Sequence, residues 1–87
     1  MWNVQLSNEA EGQYLAIEHE GLARRIERQI DELQMSFFPQ GAIKLEPKHE
    51  NRYRIRVGGY RILYRVFKKE QRILVTDIDK RGQAGLY

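Results

Sequence analysis

The chain has 87 residues, of which 31% are charged and 41% hydrophobic, and it contains no cysteine. That leaves room for one domain with a modest core, describes a globular rather than a disordered mixture, and excludes disulfides and thiolate metal sites. The net charge of +3 is unevenly divided: residues 1–49 carry 5 Lys/Arg against 8 Asp/Glu, a balance of −3, and residues 50–87 carry 10 against 4, a balance of +6.

The first residues, Met-Trp-Asn-Val-Gln-Leu, have no basic start followed by an apolar stretch, and no apolar run approaches the roughly 20 residues of a membrane helix. A cytoplasmic protein without a signal peptide is expected. Trp2, Val4 and Leu6 alternate with Asn3 and Gln5, the period of a half-buried strand. Ser7 and Asn8 are cap candidates, and Asn8 with Glu11 three residues on reads as a helix start. Ala10, Tyr14 and Ile17 share one face of that helix, and His19 is expected near its end, exposed. Gly21 marks the break before a second helix, in which Leu22, Ile26, Ile30 and Leu33 recur at helical spacing. Pro39 bounds it, and residues 40–51 read as a connection. His19 and His49 are too far apart in sequence to suggest a metal ligand set.

The rest is strand-like. Tyr53, Ile55 and Val57 alternate with Arg52, Arg54 and Arg56, Gly58-Gly59 is a hairpin signal, and residues 60–67 form the return strand. A polar turn, Lys68-Lys69-Glu70-Gln71, leads to a last strand over residues 72–78 and then a polar tail. The predicted fold is one α+β domain over residues 1–87, with element order β-α-α-β-β-β. A helical hairpin packs on one face of a small, mainly antiparallel sheet.

A two-residue turn at Gly58-Gly59 fixes the register. Val57 then faces Tyr60, Ile55 faces Ile62 and Tyr53 faces Tyr64, all on one apolar face, so these tyrosines are expected in the core. On the other face Arg56 lies opposite Arg61 and Arg52 opposite Arg65, with Arg54 beside Leu63. Like charges directly opposed across strands cost a few tenths to about 1 kcal/mol. Five arginines kept on one face therefore suggest a ligand that cancels their charge, and phosphate is the natural one, because arginine grips it with two parallel hydrogen bonds. The alternative is that they pair with Glu50, Asp77 or Asp79.

The segment Tyr-Arg-Ile-Arg-Val-Gly-Gly-Tyr-Arg-Ile-Leu-Tyr at residues 53–64 resembles the central hairpin of the RelE/ParE toxin superfamily. The ending Asp79-Lys80-Arg81, with Tyr87 six residues later, resembles the C-terminal signature of its RelE-like branch of mRNA interferases. The likeness covers the last 35 residues well. It implies the toxin of a type II toxin–antitoxin system, a ribosome-dependent endoribonuclease that cleaves mRNA in the A site. The chemistry it implies is metal-independent and needs no cofactor: the substrate's 2′-hydroxyl attacks the adjacent phosphate. The implied partners are the ribosome, mRNA and a cognate antitoxin wrapped along the helical hairpin and a sheet edge.

Carried over residue by residue, the resemblance implies catalytic roles for Arg54, Arg56, Arg61, Arg81 and Tyr87, with Arg52, Arg65 and Lys80 as further RNA contacts. Arg61 is expected to hold the pentacoordinate phosphate, Arg81 to stabilise or protonate the leaving oxygen, and Tyr87 to stack on a base or orient the 2′-hydroxyl. Many relatives have lysine where this chain has Arg54 and Arg56. Because arginine stays protonated, it is a poor general base, and His49 and Glu50 are the substitutes just before the strand. Two alternatives stand beside the nuclease: a ParE-type poison of DNA gyrase with the same fold, and an RNA-binding module without catalysis. Against the latter, no base-stacking aromatic is recognised on the arginine face.

Overall fold

A computed structural model describes residues 1–45 and 51–80. The elements are β1 (Asn3–Leu6), α1 (Asn8–Leu15), α2 (Glu20–Glu32), β2 (Ala42–Lys44), β3 (Arg52–Val57), β4 (Tyr60–Phe67) and β5 (Arg72–Lys80). They form an α+β fold, two helices against a five-stranded sheet of order β1-β5-β4-β3-β2. β1 runs parallel to β5 and all other pairs are antiparallel. The connection expected over residues 40–51 thus contains an extra strand, β2, held by three residue pairs along β3. The last strand also continues two residues past Ile78, to Lys80.

Each helix is started by a side chain. Ser7 Oγ accepts from the Ala10 N–H at 3.0 Å and donates to the Thr76 carbonyl at 3.1 Å, so one hydroxyl caps α1 and ties it to β5. His19 is exposed, as expected, but its place is the N-cap of α2, where Nδ1 accepts from the Leu22 N–H at 3.0 Å. The break between the helices accordingly precedes Gly21, which lies in the first turn of α2.

The core lies between the helices and one face of the sheet. Ala10, Ile26 and Leu33 from the helical side meet Tyr53, Ile55, Val57, Ile62, Tyr64, Val66, Ile73, Val75 and Ile78. Tyr53 and Tyr64 stack with ring centroids 5.5 Å apart, and the Tyr64 hydroxyl donates to the Phe37 carbonyl at 2.9 Å. Trp2 and Tyr53 both pack on Phe37, at 5.3 and 5.9 Å. These rings pin the segment after α2 to the sheet; none is a platform for a base.

Candidate nucleic-acid interface

The hairpin register is the one the glycine pair dictates: Val57↔Tyr60, Arg56↔Arg61, Ile55↔Ile62, Arg54↔Leu63, Tyr53↔Tyr64 and Arg52↔Arg65. Gly58 carries a positive φ of 58°, as a turn with glycine at its first central position requires. A Cβ there would stand 3.0 Å from Leu22 Cδ1, so the turn tucks directly beneath α2. With the odd-numbered residues of β3 committed to the core, Arg52, Arg54 and Arg56 must emerge on the opposite face, beside Arg61 and Arg65 of β4.

The five arginines are not equivalent. Arg56 and Arg65 are exposed, Arg52 and Arg54 are half-buried, and Arg61 is only 5% exposed. Its partner across β5 is Asp79, itself 6% exposed, with Arg61 Nε 3.5 Å from Oδ1. The two charges face each other in a largely desolvated place. The strand opposite the arginines therefore answers one of them, and Arg56, Arg52 and Arg65 form no ion pair with a described residue.

A bulge decides which residues of β5 reach this face. The pairing steps from Leu63↔Asp77 to Tyr64↔Val75, leaving Thr76 as the extra residue. Beyond it the alternation is reversed: Asp77 and Asp79 join the arginine face, while Ile78 goes to the core and Lys80 to the helix side. Lys80 thus lies apart from Arg52 and Arg65, the arginines expected to share its RNA contacts. It lines a cleft of about 570 Å³ beneath the helix junction, together with His19, Leu22, Gly58 and Tyr60. Arg56, where β3 runs past the end of β2, lines a smaller groove of about 270 Å³ with Arg25 and Arg28 of α2. His49, Glu50, Arg81 and Tyr87 lie outside the described residues.

Burial raises the pKa of Asp79; the Arg61 charge pulls it back, and Asp77 pushes it up again. A carboxyl that holds its proton more tightly folded than unfolded favours the fold at low pH, and that contribution is lost as pH rises through the raised pKa. The stability of the wild-type protein minus that of Asp79→Asn is therefore expected to fall as pH rises from about 4 and then to level off. Urea midpoints of the two proteins across this range read it. A flat difference would show Asp79 titrating alike folded and unfolded.

Sequence reasoning missed Phe67, which shares the parity of Arg61, Leu63 and Arg65 and so belongs to the arginine face. Its ring lies 5.4 Å from the Arg65 guanidinium carbon and 4.7 Å from that of Arg72. Asp77 and Asp79, expected as ion-pair partners, are the carboxylates that the described part of β5 brings to this face. Among the described residues no group of three His, Asp or Glu gathers in a way that could hold a metal ion, and no helix is long and apolar enough to cross a membrane.

Residues 4–85 match the family described as the ParE toxin of the type II toxin–antitoxin system, parDE. No curated protein sequence matches the chain. Among solved structures, the fold is similar to the archaeal RelE of the RelE–RelB complex from Pyrococcus horikoshii, with TM-score 0.81, 26% identity, and 95% of this chain and 98% of that one covered. The isolated E. coli RelE toxin superposes with TM-score 0.77 at 16% identity, over 100% of this chain and 92% of that one. The YoeB/ParE toxin from Agrobacterium tumefaciens does so with TM-score 0.76 at 17% identity, over 90% and 96%.

Proposed function

The chain belongs to the ParE toxin family of type II toxin–antitoxin systems, and from that premise we propose that it acts as a ribosome-dependent endoribonuclease, cleaving mRNA by attack of the 2′-hydroxyl on the neighbouring phosphate. The observation that carries this reading is the arginine face itself. Arg52 opposes Arg65 and Arg56 opposes Arg61 across one hairpin, and with Asp79 beside Arg61 alone of these four the remaining like charges cost stability unless a ligand cancels them. In this reading Arg54 and Arg56 grip the scissile phosphate, and Arg61 adds charge from its buried place beside Asp79. Arg81 serves the leaving 5′-oxygen and Tyr87 the base or the 2′-hydroxyl. Asp77, half-buried on this face, joins His49 and Glu50 as a group that can take the 2′-hydroxyl proton, because the arginines remain charged. The ribosome supplies alignment of the mRNA.

A cognate antitoxin is the other partner of this reading. β1 and β2 form the two edges of the sheet. Beside β1, Val4, Leu6, Tyr14 and Ile30 line a groove of about 280 Å³ together with Glu27 and Asp31, a surface suited to an antitoxin segment that combines apolar and basic side chains.

Primer extension on an mRNA under translation in a purified system tests the nuclease. New 5′ ends at ribosome-positioned codons are the expected result. The gyrase-poison reading shares the family and the fold, and Asp79, which offsets one arginine on the face, speaks for it. It predicts no new ends, and loss of supercoiling by purified gyrase in a parallel reaction.

A further inference from the structure

The arginine face has two unlike ends. At the turn end, the row Arg56–Arg61–Asp79 contains a carboxylate, and Asp77 lies in the next row beside Leu63. At the far end, one row reads Arg52–Arg65–Leu74–Gln5 and the next Phe67–Arg72–Asn3. Among the described residues no acidic one stands in either. Val4 and Leu6 face the core, so the alternation of β1 places Asn3 and Gln5, both exposed, on this side of the sheet. Arg52, Arg65 and Arg72 have no ion pair with a described residue. Phe67 brings a ring to the patch, within 5.4 Å of two of those guanidinium carbons.

Three guanidinium groups, an aromatic ring and two exposed amides make a combination that recognises one chemistry. Guanidinium groups bind phosphate, rings and guanidinium planes stack on unpaired bases, and amides bond base edges. The geometry points to a second RNA subsite at this far end, in which Phe67, flanked by Arg65 and Arg72, stacks on an unpaired base while Arg52 and Arg72 hold the adjoining phosphates. Phe67 is six residues from Arg61 along β4, roughly 20 Å at strand rise. The subsite therefore holds nucleotides some way along the strand from the phosphate gripped by Arg56. The inference rests on the reading of this face as an RNA surface and adds the place where a base, rather than the backbone, is held.

Fluorescence anisotropy with a short single-stranded 2′-O-methyl RNA, which resists cleavage, tests it against an abasic sugar-phosphate strand of equal length. Wild-type protein is expected to prefer the RNA. Phe67→Ala and Phe67→Leu should weaken RNA binding roughly tenfold while leaving the abasic strand unaffected, and Phe67→Tyr should restore the preference. The leucine variant keeps apolar bulk without a ring face, so it separates stacking from packing. Arg72→Gln should weaken both strands and lower the slope of log affinity against log salt by about one, whereas the Phe67 variants leave the slope unchanged. If both Phe67 variants keep the full preference for RNA, the subsite is overturned and the RNA surface stands. If the wild type treats the two strands alike, stacking is overturned and only charge remains. If it binds neither, the RNA reading falls and the subsite with it.

Discussion

Arg61→Ala is expected to cost the fold about 3–5 kcal/mol, the usual penalty for removing one member of a buried ion pair. The size of the effect comes from what is left behind. Asp79 is 6% exposed, and the Arg61 charge partly offsets a burial that still raises its pKa. Without that charge the carboxylate must either remain ionised in a poorly solvated place or take up a proton. The loss should therefore shrink toward low pH, where protonation becomes easy. Urea denaturation of wild type and variant at neutral and mildly acidic pH measures both the cost and its pH dependence. Replacing both partners with leucine should recover most of the loss, since apolar side chains of similar volume often equal or exceed a buried ion pair in stability. A cost below about 1 kcal/mol, the range of an exposed pair, would show that Arg61 and Asp79 are effectively solvated.

This bears directly on how loss of toxicity is read. An inactive Arg61→Ala protein has lost a structural ion pair as well as a candidate phosphate ligand, so its inactivity does not report on chemistry until its folding has been measured. The burial of Arg61 also splits the arginine face into a supported position and exposed ones. Charge at position 61 is held in place by the fold, while Arg56 and Arg65 are exposed to a ligand.

Much of this arrangement can be read from the sequence, and the parts that cannot have identifiable causes. The hairpin follows from local chemistry: Gly58 supplies the positive φ, strict alternation supplies the faces, and the two together leave one register. β2 leaves no such trace. Ala42, Ile43 and Lys44 are too few to show a period, and they become a strand because the edge of β3 offers them hydrogen bonds. The displacement of Lys80 has a subtler origin. The core-facing positions of β5 fall at Ile73, Val75 and then Ile78, and that single step of three is the mark of the Thr76 bulge. Phe67 is visible once the odd-numbered positions of β4 are followed beyond Arg65 to the strand's end. His19 escapes because histidine is an uncommon N-cap, and the nearby Gly21 draws the helix boundary toward itself. For the candidate site, the sequence brings Arg52, Arg54, Arg56, Arg61 and Arg65 together correctly but says nothing of their unequal burial, which depends on the strand at the other side of β4.

Arg56→Ala is expected to separate activity from stability in the opposite direction. Arg56 is exposed, lies directly opposite Arg61 and forms no ion pair with a described residue. Removing it relieves a like-charge pair, so the urea midpoint should stay level or rise, by an amount worth a few tenths of a kcal/mol. Removing a positioned group that stabilises charge in the transition state typically slows a reaction about 10²–10³-fold. Ribosome-dependent cleavage, followed by primer extension at matched protein concentrations, should fall by that factor. Arg56→Lys keeps the charge without the two-pronged fork, so its rate should lie between those of the wild type and the alanine variant. A sheet face kept positive at a cost in stability makes sense only if that charge is used. A more stable, slower Arg56→Ala protein is the signature of such a trade. Unchanged cleavage would remove Arg56 from the reaction and leave its exposed charge to serve the groove it shares with Arg25 and Arg28.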